Sequence, residues 1–253
     1  MKKMENLFYT LFLPLLIIVI WQIASNVGAI NNAVLSSPKS ILIKFVEVLS
    51  NGKLMANLGI SIWRVIQGFL LGSILGLGLG TVMGLFSCVN KLFNSLVGIL
   101  RPIPMIAWIP LLILWIGIGE GSKVAVIVIG TFWPVLLNTI QGIRNTDTKF
   151  IEVATVLEKR KVEILWHVIL PNAMPSIIIG LRLGVGTAWS CVVAAEMIAA
   201  SKGIGYMIMY AREMSQPTVI FVGVFTIGAI GLLIDKGFTK LEKYILRWNI
   251  DVN

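Results

Sequence analysis

The chain has 253 residues, 57% of them hydrophobic, with 24 glycines and only 13% charged residues. An ordinary soluble domain carries about 25% charged residues, so composition excludes one: the polar surface needed to cover it is missing. Lysine and arginine total 21 against 12 acids, a net charge of +9, but no basic cluster is interleaved with aromatics as nucleic-acid binding would require.

The bases lie between long apolar runs, where they orient a chain in a membrane. Met1-Lys2-Lys3 and the apolar stretch after it imitate a signal peptide. The stretch exceeds the core of about 7–15 residues that such peptides carry, and it reads as a retained first span over 7–26. A second span is expected over 64–86. Along it Gly68, Gly72, Gly76, Gly80 and Gly84 recur every four residues. In lipid, that spacing lets helix backbones approach closely, so this helix belongs deep in a bundle or at a dimer seam.

The third span, 100–118, begins with Arg101-Pro102-Ile103-Pro104, whose prolines should kink it and free carbonyls near a pathway. A fourth follows over 124–143. The segment 144–175 is too polar to insert and should form a cytoplasmic loop. It contains a helix over 150–163, with Asp147 or Thr148 as N-cap and Glu152 in the first turn. Ile151, Val153, Ala154, Val156 and Leu157 make that helix too apolar for a linker and suit it to docking a partner. Pro171 and Pro175 should break any helix there, which delays the fifth span to 176–200. A sixth covers 217–236.

The sum is an all-α polytopic membrane protein of six transmembrane helices. With both termini cytoplasmic, the inner segments hold roughly twice as many Lys and Arg as the outer ones, as the positive-inside rule requires. Cys88 and Cys191 sit in apolar surroundings without CxxC spacing, and His167 is the only histidine. Two packed thiols and no metal site are expected.

The loop reads Glu152-Val153-Ala154, three residues, Glu158, nine residues, then Val168-Ile169-Leu170-Pro171. This resembles the cytoplasmic signature of ABC importer permease subunits: EAA, three residues, Gly, nine residues, then I-x-L-P. Further likeness, over about residues 35–250, is to the nitrate/sulfonate/taurine branch of that family. It is carried by Arg101-Pro102-Ile103-Pro104 with Pro110-Leu111, Gly117-Ile118-Gly119-Glu120, Gly180-Leu181-Arg182, Ala195-Glu196-Met197 and Gly203-Ile204-Gly205.

The resemblance implies a type I ABC importer permease fold in a bacterial inner membrane. It implies a pore-forming homodimer that moves a small anion such as a sulfonate, taurine or nitrate. An extracytoplasmic solute-binding protein would deliver the cargo, and cytoplasmic ATP-binding subunits would grip the loop at Glu152, Val153, Ala154, Leu157, Glu158, Leu170 and Pro171. The chain would itself be no enzyme and hold no cofactor, and it carries no G-x-x-x-x-G-K-[ST] motif.

Val153 and Glu158 depart from the pattern. Glycine at the second position allows a turn with positive φ, whereas glutamate should continue the helix and make the loop longer and straighter. Leu170-Pro171 should end the docking element and redirect the chain into the fifth span.

Arg101 and Arg182, at the cytoplasmic ends of the third and fifth spans, either attract an anionic solute or snorkel to lipid phosphates. With Pro102, Pro104 and Glu196 they are the candidate pathway or gating residues. Glu196, at the outer end of the fifth span, either pairs with a cation across the bundle or gates the mouth. His167 beside Trp166 reads as an interfacial anchor.

Other classes fit less well. A membrane-embedded enzyme needs clustered His, Asp or Glu at membrane depth. A secondary transporter or channel needs two similar halves or midplane carboxylates, and neither is evident. A member of the same family moving a neutral heterocycle is the remaining alternative.

Overall fold

A computed structural model describes residues 2–31 and 34–248, with side chains from residue 12 onward. The described residues fold into helices without strands. In order these are α1 (Lys2–Asn26), α2 (Pro38–Ser50), α3 (Lys53–Leu85), α4 (Ser87–Leu100), α5 (Met105–Ile116), α6 (Glu120–Arg144) and α7 (Thr148–Val156). Then come α8 (Lys161–Ile164), a single π-turn (Leu165–Ile169), α9 (Leu170–Ala199), α10 (Ile204–Glu213) and α11 (Pro217–Ile245).

At the centre α6 is sandwiched between α3 and α9. The glycine ladder of α3 is the reason α3 and α6 come so close: a Cβ at Gly72 would lie 2.7 Å from Thr131 Cβ, and one at Gly76 2.9 Å from Val135 Cβ. Gly68, Gly80 and Gly84 face Ile127, Thr139 and Ile143 in the same register. On its other side α6 meets Gly180 and Gly184 of α9 through Asn138 and Val135. The expected deep placement of the ladder helix holds, and the seam lies within the chain. Ile127, Val135, Leu136 and Val192 are completely buried there.

This register also fixes directions. Residues 68 to 84 pair with 127 to 143 in ascending order, so α3 and α6 are parallel, whereas 180 and 184 pair with 138 and 135, so α9 is antiparallel. Two parallel spans need an odd number of crossings between them, and α4 with α5 supplies it. These two helices meet at 99° and make one broken crossing. Four helices cross unbroken: α3, α6, the continuous helix Lys161–Ala199, and α11.

The sequence placed several boundaries wrongly. The third span is not one helix over 100–118: Pro104 has no N–H to offer and disfavours helix at the residue before it, so the chain turns between α4 and α5. α3 begins at Lys53 instead of 64, because Asn57, Ser61 and Arg64 find polar partners in the fold. α11 runs on to Ile245 as a mixed-charge extension. The surface helices α2 and α10 were not foreseen. Ser37 caps α2 by accepting from Ser40 N, with Pro38 at the first helical position.

α1 covers the expected first span, 7–26, of which the side chains before residue 12 lie outside the described ones. It holds to the bundle at its C-terminal end. Trp21 lies 5.7 Å from Phe221 of α11, and Gln22 Oε1 accepts from Lys39 N at 3.0 Å. Leu13, Ile17 and Ile20 are exposed, an apolar face suited to lipid.

Candidate functional site

The loop between α6 and the fifth span is a helical hairpin. Asp147 is the N-cap of α7, its carboxylate accepting from Lys149 N at 2.9 Å. Glu152 falls beyond the first turn, contrary to expectation, and is exposed. Ala154 is buried against the second arm, while Phe150, Val153, Val156 and Leu157 project outward on α7 and Val162 and Trp166 on the other arm. So many apolar side chains on a polar hairpin form a surface that water does not favour.

The turn corrects the expectation for Glu158. Its backbone is left-handed, φ +53°. Glu158 N donates to Thr155 O and Lys159 N to Ala154 O, at 2.9 and 3.1 Å. These two bonds form the Schellman closure that glycine commonly provides at a helix C-terminus. The loop is therefore no straighter than a glycine would make it. A Cβ in this region costs about 1–2 kcal/mol, and the two bonds, with Glu163 Oε2 accepting from Arg160 N at 3.1 Å, offset that cost.

The break expected at Pro171 does not occur. The chain is one helix from Lys161 to Ala199. The π-turn widens it just before the proline, with Leu170 N bonding Leu165 O. That opens the carbonyl ladder where the Pro171 ring would otherwise clash. Leu170 and Pro171 thus continue the second arm of the hairpin directly into the span. His167, beside exposed Trp166, bonds Glu163 O through Nδ1 at 3.0 Å and lines the notch between the two arms.

At the opposite end of the bundle lies a buried ionic cluster. Glu196 of α9 accepts from Arg64 at 2.8 Å and from Ser61 at 2.8 and 2.9 Å. It also accepts from Gly205 N at 2.9 Å, while Ser61 accepts from Ile204 N, so two amides of the first turn of α10 are capped. Arg64 reaches Glu120 with two bonds, 2.6 and 2.7 Å, and Lys202 O at 2.8 Å. Lys123 joins Glu120 at 3.0 Å. Gly203, φ +119°, passes over the Glu196 carboxylate where no Cβ would fit. Glu196 is thus paired with a cation from across the bundle.

Between α5, α6 and α9 lies a cavity of about 970 Å³. The turn at the α4–α5 bend places Arg101 and Pro104 on its wall, opposite Asn138, Gln141, Thr187 and Ser190. Pro102 lies within that turn, exposed. Arg182 is absent from this wall. It bonds Asp235 at 2.9 and 3.2 Å and Glu242 at 3.3 Å, tying α9 to α11. The structure thus separates the candidate residues into the α7–α8 hairpin, a cavity with Arg101, and a remote cluster around Glu196.

Residues 68–245 match the family described as binding-protein-dependent transport system inner membrane component. The chain is 42% identical to the putative aliphatic sulfonates transport permease protein SsuC of Bacillus subtilis, across 94% of this chain and 86% of that protein. Identity is 31% to the taurine transport system permease protein TauC of Escherichia coli, across 93% and 88%. It is 33% to the bicarbonate transport system permease protein CmpB of Synechococcus elongatus, across 97% and 92%. The fold resembles the inward-facing MetNI methionine ABC transporter, with a TM-score of 0.63 at 17% identity over 76% of this chain and 96% of that one.

Proposed function

The chain belongs to the family of binding-protein-dependent transport inner membrane components, the ABC transporter permeases, and from that premise we propose that it is the pore-forming subunit of an ATP-driven importer of small anions. Two copies form the pathway, and a separate ATP-binding subunit docks on each α7–α8 hairpin. A solute-binding protein delivers the cargo to the face around Glu120. Both termini lie in the cytoplasm with the hairpin. Aliphatic sulfonates, taurine and bicarbonate are what its relatives are named for, and all are small and anionic or zwitterionic, which supports an anion as cargo.

The observation that carries the reading is the hairpin. Its outward apolar side chains, with Glu152 among them, form a surface that a partner would cover. ATP-driven approach of the two partner subunits would then act directly on α9. The test replaces Glu152 by Lys and Val153 by Asp. Both variants should insert normally, lose co-purification of the ATP-binding subunit and lose ATP-dependent uptake. Unchanged uptake with the subunit still bound overturns the docking assignment.

A further inference from the structure

We propose that the α5–α6–α9 cavity is an anion subsite of the permease itself, in which Arg101 holds the head of a small oxyanion with an apolar body, an alkanesulfonate in kind. The proposal rests on the reading of the chain as an anion permease and names the group that handles the charge.

Charge is the first argument. Arg101 lines the cavity and no Asp or Glu does. Among the described residues no carboxylate lies within ion-pairing distance of its guanidinium, whereas Arg64 and Arg182 are each held by two acids. Arg101 is therefore a positive charge left open toward a space of about 970 Å³.

Depth is the second. Met105, one turn beyond Arg101, lies 3.9 Å from where a Cβ on Gly130 would be, and Gly130 sits near the middle of α6. The cavity that the Arg101 turn lines therefore reaches the middle of the bundle, with the Arg101 side chain exposed toward it. An unpaired cation facing a cavity between spans marks an ion or substrate path. An arriving oxyanion would supply the missing countercharge, and a guanidinium presents a fork of donors matched to it.

The remaining wall suits the same ligand. The Gln141 amide and the Ser190 hydroxyl lie on the same wall. Ile106, Val126 and Ala194 offer apolar surface to the body of the solute. Donors beside apolar walls, with no acid, disfavour a cationic solute.

The test uses the full chain in lipid nanodiscs, with Cys88→Ser and Cys191→Ala removing the two native thiols and Ser190→Cys placing one on the cavity wall. Methanethiosulfonate reagents carrying a sulfonate or a quaternary ammonium then read the local potential by their labelling rates. The sulfonate-to-ammonium rate ratio should fall about tenfold in Arg101→Gln and be kept in Arg101→Lys. With Arg101 present, ethanesulfonate should slow labelling and choline should not. Equal ratios in the arginine and glutamine chains, or no slowing by ethanesulfonate, overturn the proposal. The outcome does not depend on an ATP-binding subunit, so failure of the importer reading shows separately, in co-purification and uptake.

Discussion

Arg64 of α3 and Glu196 of α9 meet at 2.8 Å with side-chain exposures of 3% and 0%. Each has further partners, so the pair holds together α3, α6, α9 and the start of α10 at the end of the bundle remote from the hairpin. Removing one member of such a pair strands the other charge and costs about 3–5 kcal/mol. Glu196→Gln should therefore lower the melting temperature of the detergent-solubilised chain strongly. Glu120→Gln should do far less, because that side chain is 63% exposed and an exposed pair contributes about 1 kcal/mol or less.

The glycine ladder predicts a contrast on one helix. Gly72→Val places a side chain against Thr131 and the Val128 carbonyl, and should separate α3 from α6 and abolish stable folding. Gly78→Ala meets nothing within 4 Å and should leave stability equal or raised by up to about 1 kcal/mol through helix propensity. Gel-filtration profiles and thermal melts of the two variants give the comparison. Equal behaviour would show that close packing along the ladder contributes little.

Glu158 holds a left-handed position that glycine adopts freely. Glu158→Gly should stabilise the hairpin by about 1 kcal/mol, seen as slower hydrogen exchange at the amides of Glu158 and Lys159. Glu158→Val should speed exchange at the same amides and weaken retention of the ATP-binding subunit.

The helix directions require α6 to begin on the side of the membrane opposite α7. Single cysteines at Glu120 and Val156, in right-side-out vesicles, should therefore react differently with a charged impermeant thiol reagent. Position 120 should label at once and position 156 only after the membrane is opened. The reverse pattern would invert the proposed orientation.

Much of the bundle was legible because lipid leaves a strong imprint on sequence. The α6 and α11 spans and the purpose of the glycine ladder follow from apolar runs and four-residue spacing alone. What escaped depended on three-dimensional company. Arg64 lies 56 residues from Glu120 and 132 from Glu196, so nothing local announces their cluster.

Proline was misjudged in both directions. Pro104 contributes to a bend sharper than a kink, whereas Pro171 is absorbed because a π-turn precedes it. Glu158 was misjudged because propensity describes the isolated residue, while two backbone bonds decide its conformation. Arg101 and Arg182 look equivalent in sequence, and only their surroundings distinguish a free charge from a neutralised one.

The continuity of the helix from Lys161 to Ala199 has a mechanical consequence. At 1.5 Å per residue its 39 residues form a rod about 58 Å long. One end carries the second arm of the hairpin, the middle carries Thr187 and Ser190 on the cavity wall, and the far end is fastened by Glu196. Under the proposed docking, a push on the hairpin would be passed along this helix toward its fastened end. The movement would be greatest at the hairpin and smallest at the Glu196 end. The cavity wall would move by an intermediate amount, so one lever would both receive the stroke and gear it down for the solute.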